Sequence, residues 1–112
     1  MKKIECIVHP SKLEAIRDSI GQFGFKGMTL TNVLGCGLQK GRTEIYRGYT
    51  ITNNFFIKTK IELVVRNELV DYVVDVIIKE AQTGEIGDGI IFVSDIESAV
   101  RICSGVCGNI AI

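Results

Sequence analysis

The sequence holds a single histidine, no excess of either charge, no Cys-x-x-Cys pair and no apolar run long enough to cross a bilayer. Each absence removes a class of function. Thirteen Lys and Arg balance thirteen Asp and Glu, so net charge gives no argument for nucleic acid or an anionic membrane, which reward a basic excess. The N-terminal Met1-Lys2-Lys3-Ile4-Glu5-Cys6 leads straight into a strand-like pattern without an apolar h-region. A cytoplasmic location is therefore expected. Four cysteines (Cys6, Cys36, Cys103, Cys107) are thiols by default in a reducing compartment. A structural zinc site would need closer cysteine pairing or further histidines, so no structural metal is expected. Cys6 and Cys36 read as small buried strand residues. His9 is the best general base on offer, but it precedes Pro10 at a strand end without an evident partner. The constellation that catalysis requires is missing, and no enzyme is expected.

What is present is a chain of 112 residues, 46% hydrophobic and 23% charged, which fits one globular domain over residues 1–112 with a core of its own. Its two halves read alike. Lys3-Ile4-Glu5-Cys6-Ile7-Val8 opens the first and Lys60-Ile61-Glu62-Leu63-Val64-Val65 the second, both rich in β-formers with an acidic residue between apolar ones. A helical pattern follows each. Leu13, Ile16, Ile20 and Phe23 recur at spacings of three and four behind Ser11, and Glu14 lies three residues beyond that serine, which predicts a capping-box start. In the second half Asn67 is placed to cap a helix with Leu69, Val70, Val73, Val74, Ile77 and Ile78 on its apolar face. Gly24 and Gly84, each opening a Gly-x-x-Gly, are expected to end the helices in the left-handed conformation. Strands are then expected over residues 28–34 and 90–94, with a short fifth near 99–102. Two successive βαβ units predict an α+β, ferredoxin-like βαββαβ fold on a largely antiparallel sheet.

Between the halves, residues 35 to about 56 are too long for an ordinary connection and lack sustained periodicity. Such a segment is a partner-contacting loop, a disordered insertion or an extended hairpin.

Particular strings carry a family resemblance. Gly27-Met28-Thr29 leads into the second strand, and Gln39-Lys40-Gly41-Arg42-Thr43-Glu44-Ile45-Tyr46-Arg47-Gly48 opens the long loop. Lys58-Thr59-Lys60-Ile61-Glu62 closes that loop, and Ala81-Gln82-Thr83-Gly84-Glu85-Ile86-Gly87-Asp88-Gly89 is the most diagnostic segment. Arg101-Ile102 with Ser104-Gly105 follows near the C-terminus. In this order, over nearly the whole chain, they resemble the PII nitrogen-regulatory signal transduction proteins.

That resemblance implies a homotrimer with nucleotide sites in clefts between subunits, a T-loop at about 37–56, a nucleotide loop at about 82–90 and a C-terminal loop at about 102–112. It implies binding of ATP or ADP, with Thr29, Gly35, Gly37, Glu62, Val64, Gly87, Asp88, Gly89 and Arg101 lining the site. Gln39 and Lys58 would help hold Mg and 2-oxoglutarate, the lysine by pairing with a carboxylate. The implied partners are an ammonium transporter or enzymes of nitrogen assimilation. Elementary chemistry is consistent with parts of this: Gly87-Asp88-Gly89 can bring backbone N–H groups close to phosphate, and Arg101 suits a charge-assisted bond to it.

The sequence departs from the family pattern in three basic positions. Leu38, Ile90 and Cys103 stand where arginine, lysine and arginine are expected. Hydrogen bonds to charged groups are worth roughly 1.5–3 kcal/mol each, so their joint loss predicts ATP binding weakened by about two to three decades even at half additivity. A less charged ligand is the corresponding expectation. Ile51 replaces the tyrosine that some members carry as a uridylylation site, and neither Tyr46 nor Tyr49 matches that position. Cys103 and Cys107 flank Gly105, and a glycine-containing loop there is compatible with a redox-sensing pair.

Overall fold

A computed structural model of the chain describes residues 1–22, 25, 27–36, 42–46, 49–53 and 55–112; for 42–46 and 49–53 it describes the backbone alone. Apolar residues at every second position make β1 (Lys2–Val8), where Ile4, Cys6 and Val8 are buried, and the long β5 (Phe56–Val65), where Ile61, Leu63 and Val65 are buried. The two pair antiparallel at the centre of a four-stranded sheet. β2 (Thr29–Gly35) lies outside β5 and β6 (Gly89–Asp95) outside β1, giving the order β2-β5-β1-β6 with every pairing antiparallel. β3 (Arg42–Tyr46) and β4 (Tyr49–Asn53) pair separately as a two-stranded hairpin. Of the readings open for the long loop, an extended hairpin is therefore formed within it.

Helices α1 (Leu13–Gly21) and α2 (Val70–Ala81) cover one face of the sheet. Ile16 and Ile20 from α1 and Val70, Val73, Ile77 and Ala81 from α2 close the core over β1 and β5. At roughly 1.5–3 kcal/mol per fully buried aliphatic side chain, these contacts dominate the stability of the domain. The Ser19 hydroxyl donates to Glu80 (3.0 Å) and ties the helices together. The architecture is the expected ferredoxin-like α+β fold, with the hairpin inserted between the second and third strands of its main sheet.

The helix ends differ from expectation in physical detail. Pro10 opens a 3₁₀ turn over Pro10–Lys12, so α1 starts at Leu13 behind Lys12 and makes no side-chain cap bond. The Ser11–Glu14 capping box is not formed, because Ser11 is already inside that turn. Asn67 likewise begins a 3₁₀ turn, Asn67–Leu69, instead of capping α2. α1 ends at Gly21 with Gln22 as its C-terminal cap, ahead of Gly24, which lies outside the described residues. α2 ends when Gln82 turns extended (φ −70°, ψ 128°), its N–H bonded to Ile78 O at 2.9 Å. Gly84 does have a left-handed φ of +88°, but it shapes the following loop. The fifth strand near 99–102 reduces to a single bridge, Val100 opposite Cys107, closed by a turn in which Gly105 N–H donates to Arg101 O (2.8 Å). Cys6 is buried as expected, whereas Cys36 follows the end of β2 and is exposed.

Candidate functional site

The outer sheet face carries no helix. On it Thr29 lies opposite Glu62, and Val64 lies two residues further along β5, opposite Lys3 of β1. Glu5 and Glu62 sit directly across from one another, a pairing that repels. Lys60 offsets it, with Nζ 3.3 Å from Glu62 and 3.9 Å from Glu5, while Lys3 reaches Glu5 at 3.7 Å. Glu62 thus stands within a mixed ladder of charge.

About 13 Å along β5 from Glu62, at roughly 3.3 Å per residue, lies the other part of the site. Lys58 is only 7% exposed. Its stem passes Gly35, where an added Cβ would lie 3.4 Å from Lys58 Cγ, and its Nζ stands 5.9 Å from the centre of the Phe56 ring. The ammonium donates to Gly87 O (2.8 Å) and lies 3.2 Å from His9 Nδ1. Burial, the larger cause, holds Lys58 below the usual lysine range, partly opposed by the Asp88 carboxylate. His9 is likewise held below its ordinary value, by burial first and then by the positive charge of Lys58.

The nucleotide-loop segment is shaped by Asp88. Its carboxylate accepts from the N–H of Thr83 (2.7 Å), the N–H of Gly84 (2.9 Å) and the Thr83 hydroxyl. The Thr83 hydroxyl oxygen in turn accepts from Glu85 N–H (3.2 Å). These bonds, the Thr83 hydroxyl first, lower the Asp88 pKa. Three amides at the start of the loop are spent within it, and the remaining stretch, 86–89, is the part that could face a phosphate. Gly87 takes φ +104° and Gly89 φ +116°. At Gly89 a Cβ would lie 1.8 Å from Ile7 O, so glycine is required for β6 to enter the sheet beside β1. Between the end of α2 and the start of β6 lies a groove of about 500 Å³, walled by Val8, Val74, Ile77 and Ile91 with Gln82 and Asp88 among its polar lining.

The structure therefore gathers Gly35, Lys58, Gly87, Asp88 and Gly89 at one end of the sheet and places Thr29, Glu62 and Val64 further along its open face. Arg101 stands apart, its Nε donating to Ala111 O (3.1 Å) across the C-terminal segment. Ile90 is half exposed just after the loop, and Cys103 and Cys107 are exposed, unbridged thiols. Gly37, Leu38 and Gln39 lie outside the described residues, as does the side chain of Ile51. Sequence reasoning missed the partner of His9: Lys58 is 49 residues away and no local pattern links them. It also missed Thr83 as the hydroxyl that turns Asp88 inward, although serine and threonine commonly bond within such turns.

The Nitrogen regulatory protein P-II family model matches residues 1–105. Nitrogen regulatory protein P-II of Haemophilus influenzae is 51% identical over 105 residues, covering 94% of each chain. Nitrogen regulatory protein P-II 1 of Escherichia coli K12 is 50% identical with the same coverage. Among solved structures, B. subtilis GlnK superposes with a TM-score of 0.81 at 38% identity, over 99% of this chain and 97% of that one. With a family match over residues 1–105 and half of its residues identical to curated members across 94% of the chain, the chain belongs to the P-II family of nitrogen regulatory signal transduction proteins.

Proposed function

We propose that the protein is a trimeric signal transducer that reports nitrogen status by binding adenine nucleotide and 2-oxoglutarate. It then contacts a target, an ammonium transporter or an enzyme of nitrogen assimilation, through the loop at about 37–56. The observation that carries this reading is Lys58: a largely buried lysine at the junction of β5 and the 82–90 loop, whose ammonium has two acceptors among the described residues. A carboxylate fits such a donor by charge and geometry. Mg, expected with the nucleotide, would draw on Gln39 and the phosphates and would neutralise their charge. For the nucleotide, the chain supplies the 86–89 amides and the open-face residues Thr29, Glu62 and Val64. Co-purification with an ammonium transporter, reversed by 2-oxoglutarate, tests the reading. Persistent failure to bind either nucleotide or transporter would overturn it.

A second reading keeps the trimer but gives it another ligand, another transporter or a thiol signal. It is favoured by the apolar Ile90 and the neutral Cys103 where cations are expected, and by the inward engagement of Arg101. Calorimetry with ATP, ADP and AMP separates the two. Micromolar or tighter ATP binding supports the first reading, and a preference for the less charged nucleotides supports the second.

A further inference from the structure

The C-terminal hairpin brings two of the four cysteines to one turn. Val100 lies opposite Cys107, flanked by the bonds from Arg101 N–H to Val106 O (2.8 Å) and from Gly108 N–H to Ala99 O (3.0 Å). This is the pair type in which facing side chains come closest, so the Cys107 side chain lies beside Val100. It leans toward the turn, where its Sγ donates to Gly105 O at 3.6 Å. Gly105 N–H donates in turn to Arg101 O (2.8 Å), which winds residues 101–105 into one helical turn with Cys103 at its middle. Gly105 (φ +70°) and Gly108 (φ +78°) stand on either side of Cys107, and at neither would an added Cβ meet an atom within 4 Å. The backbone around Cys107 therefore has room to turn. Both cysteines are exposed, free thiols.

We propose that Cys103 and Cys107 form a reversible dithiol–disulfide switch that, when oxidised, opens this hairpin and releases Arg101. The oxidant is a small disulfide of the glutathione class. One thiolate attacks it, forming a mixed disulfide and expelling one thiol; the second thiolate then attacks the protein's own sulfur and expels the other. Two electrons pass to the oxidant, and the two thiol protons end on its released thiols. A disulfide needs Cα atoms within about 7 Å. Cys107 is paired across to Val100, three residues before Cys103, so the bridge draws Cys107 off Val100 and toward the turn. Gly108 N–H then loses Ala99 O, and the 3₁₀ turn Gly108–Ala111 moves with it. Ala111 O is the acceptor that holds Arg101 Nε (3.1 Å), so oxidation frees the guanidinium. A ring of so few residues closes under strain, and strained bridges are the readily reduced ones, which suits a compartment where thiols are the resting state. The inference rests on the thiol reading above for its biological role, while the hairpin geometry alone carries the chemistry.

The test incubates the wild-type protein in glutathione buffers of stepped oxidation, followed by acid quenching, intact mass and peptide mapping. The expected product is about 2 Da lighter than the dithiol form and returns to it on adding reductant. Mapping is expected to place the bond between Cys103 and Cys107. Hydrogen exchange at the Arg101 and Gly108 amides, which close the hairpin, is expected to accelerate in the oxidised form. Cys103→Ser and Cys107→Ser are each expected to stop at the mixed glutathione adduct. Cys36→Ser, which removes the other exposed thiol, is expected to form the bridge as the wild type does. Mixed adducts alone in the wild type, or a bridge that includes Cys36, overturn the proposal. A Cys103–Cys107 bridge that leaves exchange at both amides unchanged overturns it equally. Calorimetry with ATP on the two forms separates the switch from its role: equal affinities with the bridge formed and the hairpin opened support the switch and remove the thiol reading.

Discussion

Gly89 and Gly84 both have positive φ, yet they are held to glycine for different reasons. At Gly89 (φ +116°) an added Cβ would lie 1.8 Å from the Ile7 carbonyl oxygen, a backbone atom fixed by the sheet. At Gly84 (φ +88°) nothing stands within 4 Å. Gly84→Ala is therefore expected to cost only the left-handed strain of about 1–2 kcal/mol. Gly89→Ala adds a clash that only movement of β1 or β6 relieves, and its midpoint of chemical denaturation should fall well below that of Gly84→Ala. Equal midpoints would show that β6 enters the sheet by another route. Asp88 offers a pH test at the same scale. Its pKa is lowered by the bonds from Thr83 and Gly84, so it stabilises the folded loop above the ordinary carboxyl value of 3.8. That contribution fades as pH falls through the lower folded value. Amide exchange at Thr83 and Gly84 should accelerate there and should lose this pH dependence in Asp88→Asn. Glycine at residues 87 and 89 was legible in the Gly-Asp-Gly string, because backbone freedom is written locally. The inward turn of Asp88 was less so, since it depends on which amides the finished loop presents.

At the scale of elements, periodicity was the dependable signal and capping was not. The spacing of Ile16 and Ile20, and of Val70, Val73 and Ile77, marks the faces that are buried. Ile77→Ala is expected to lose about 2–5 kcal/mol as a cavity opens beneath α2, while Ile78→Ala, at a half-exposed position, should cost far less. Thermal and chemical denaturation check the pair. The serine-to-glutamate spacing at Ser11 and Glu14 suggested a capping box, but Pro10 sets the backbone before Ser11 and the first turn winds as 3₁₀. A functional cap would lose about 0.5–2 kcal/mol on mutation to alanine. Ser11→Ala should instead stay within about 0.5 kcal/mol of wild type, as expected for a surface change. A larger loss would mean that the box forms in solution. The hairpin β3–β4 is legible only as one of several readings of the long loop, because a stretch of mixed polar and aromatic residues does not choose between loop and strand without a partner strand to pair with.

For the whole molecule, the four-stranded order β2-β5-β1-β6 followed from the repeated βαβ pattern, because two such units interleave in few ways. The candidate site was legible only in pieces. Lys58 lies 29 residues before Gly87 and becomes a neighbour of the Gly87-Asp88 turn only when β5 and the loop meet at one end of the sheet. The outer sheet face bears the Lys3–Glu5–Lys60–Glu62 ladder without a covering helix; if the proposed trimer packs through this face, its assembly should be sensitive to salt, since partly exposed ion pairs are screened. Native mass spectrometry and light scattering across ionic strength are expected to show a trimer that loosens as salt rises. A monomer at every ionic strength would contradict the proposed assembly. The central claim, that Lys58 and the 82–90 loop form the sensing site, is tested most directly by calorimetric titration of 2-oxoglutarate into the protein with millimolar ATP and Mg, beside Lys58→Met. The account predicts saturable binding in the wild type that Lys58→Met abolishes; no binding in the wild type, or equal binding in both, would contradict it.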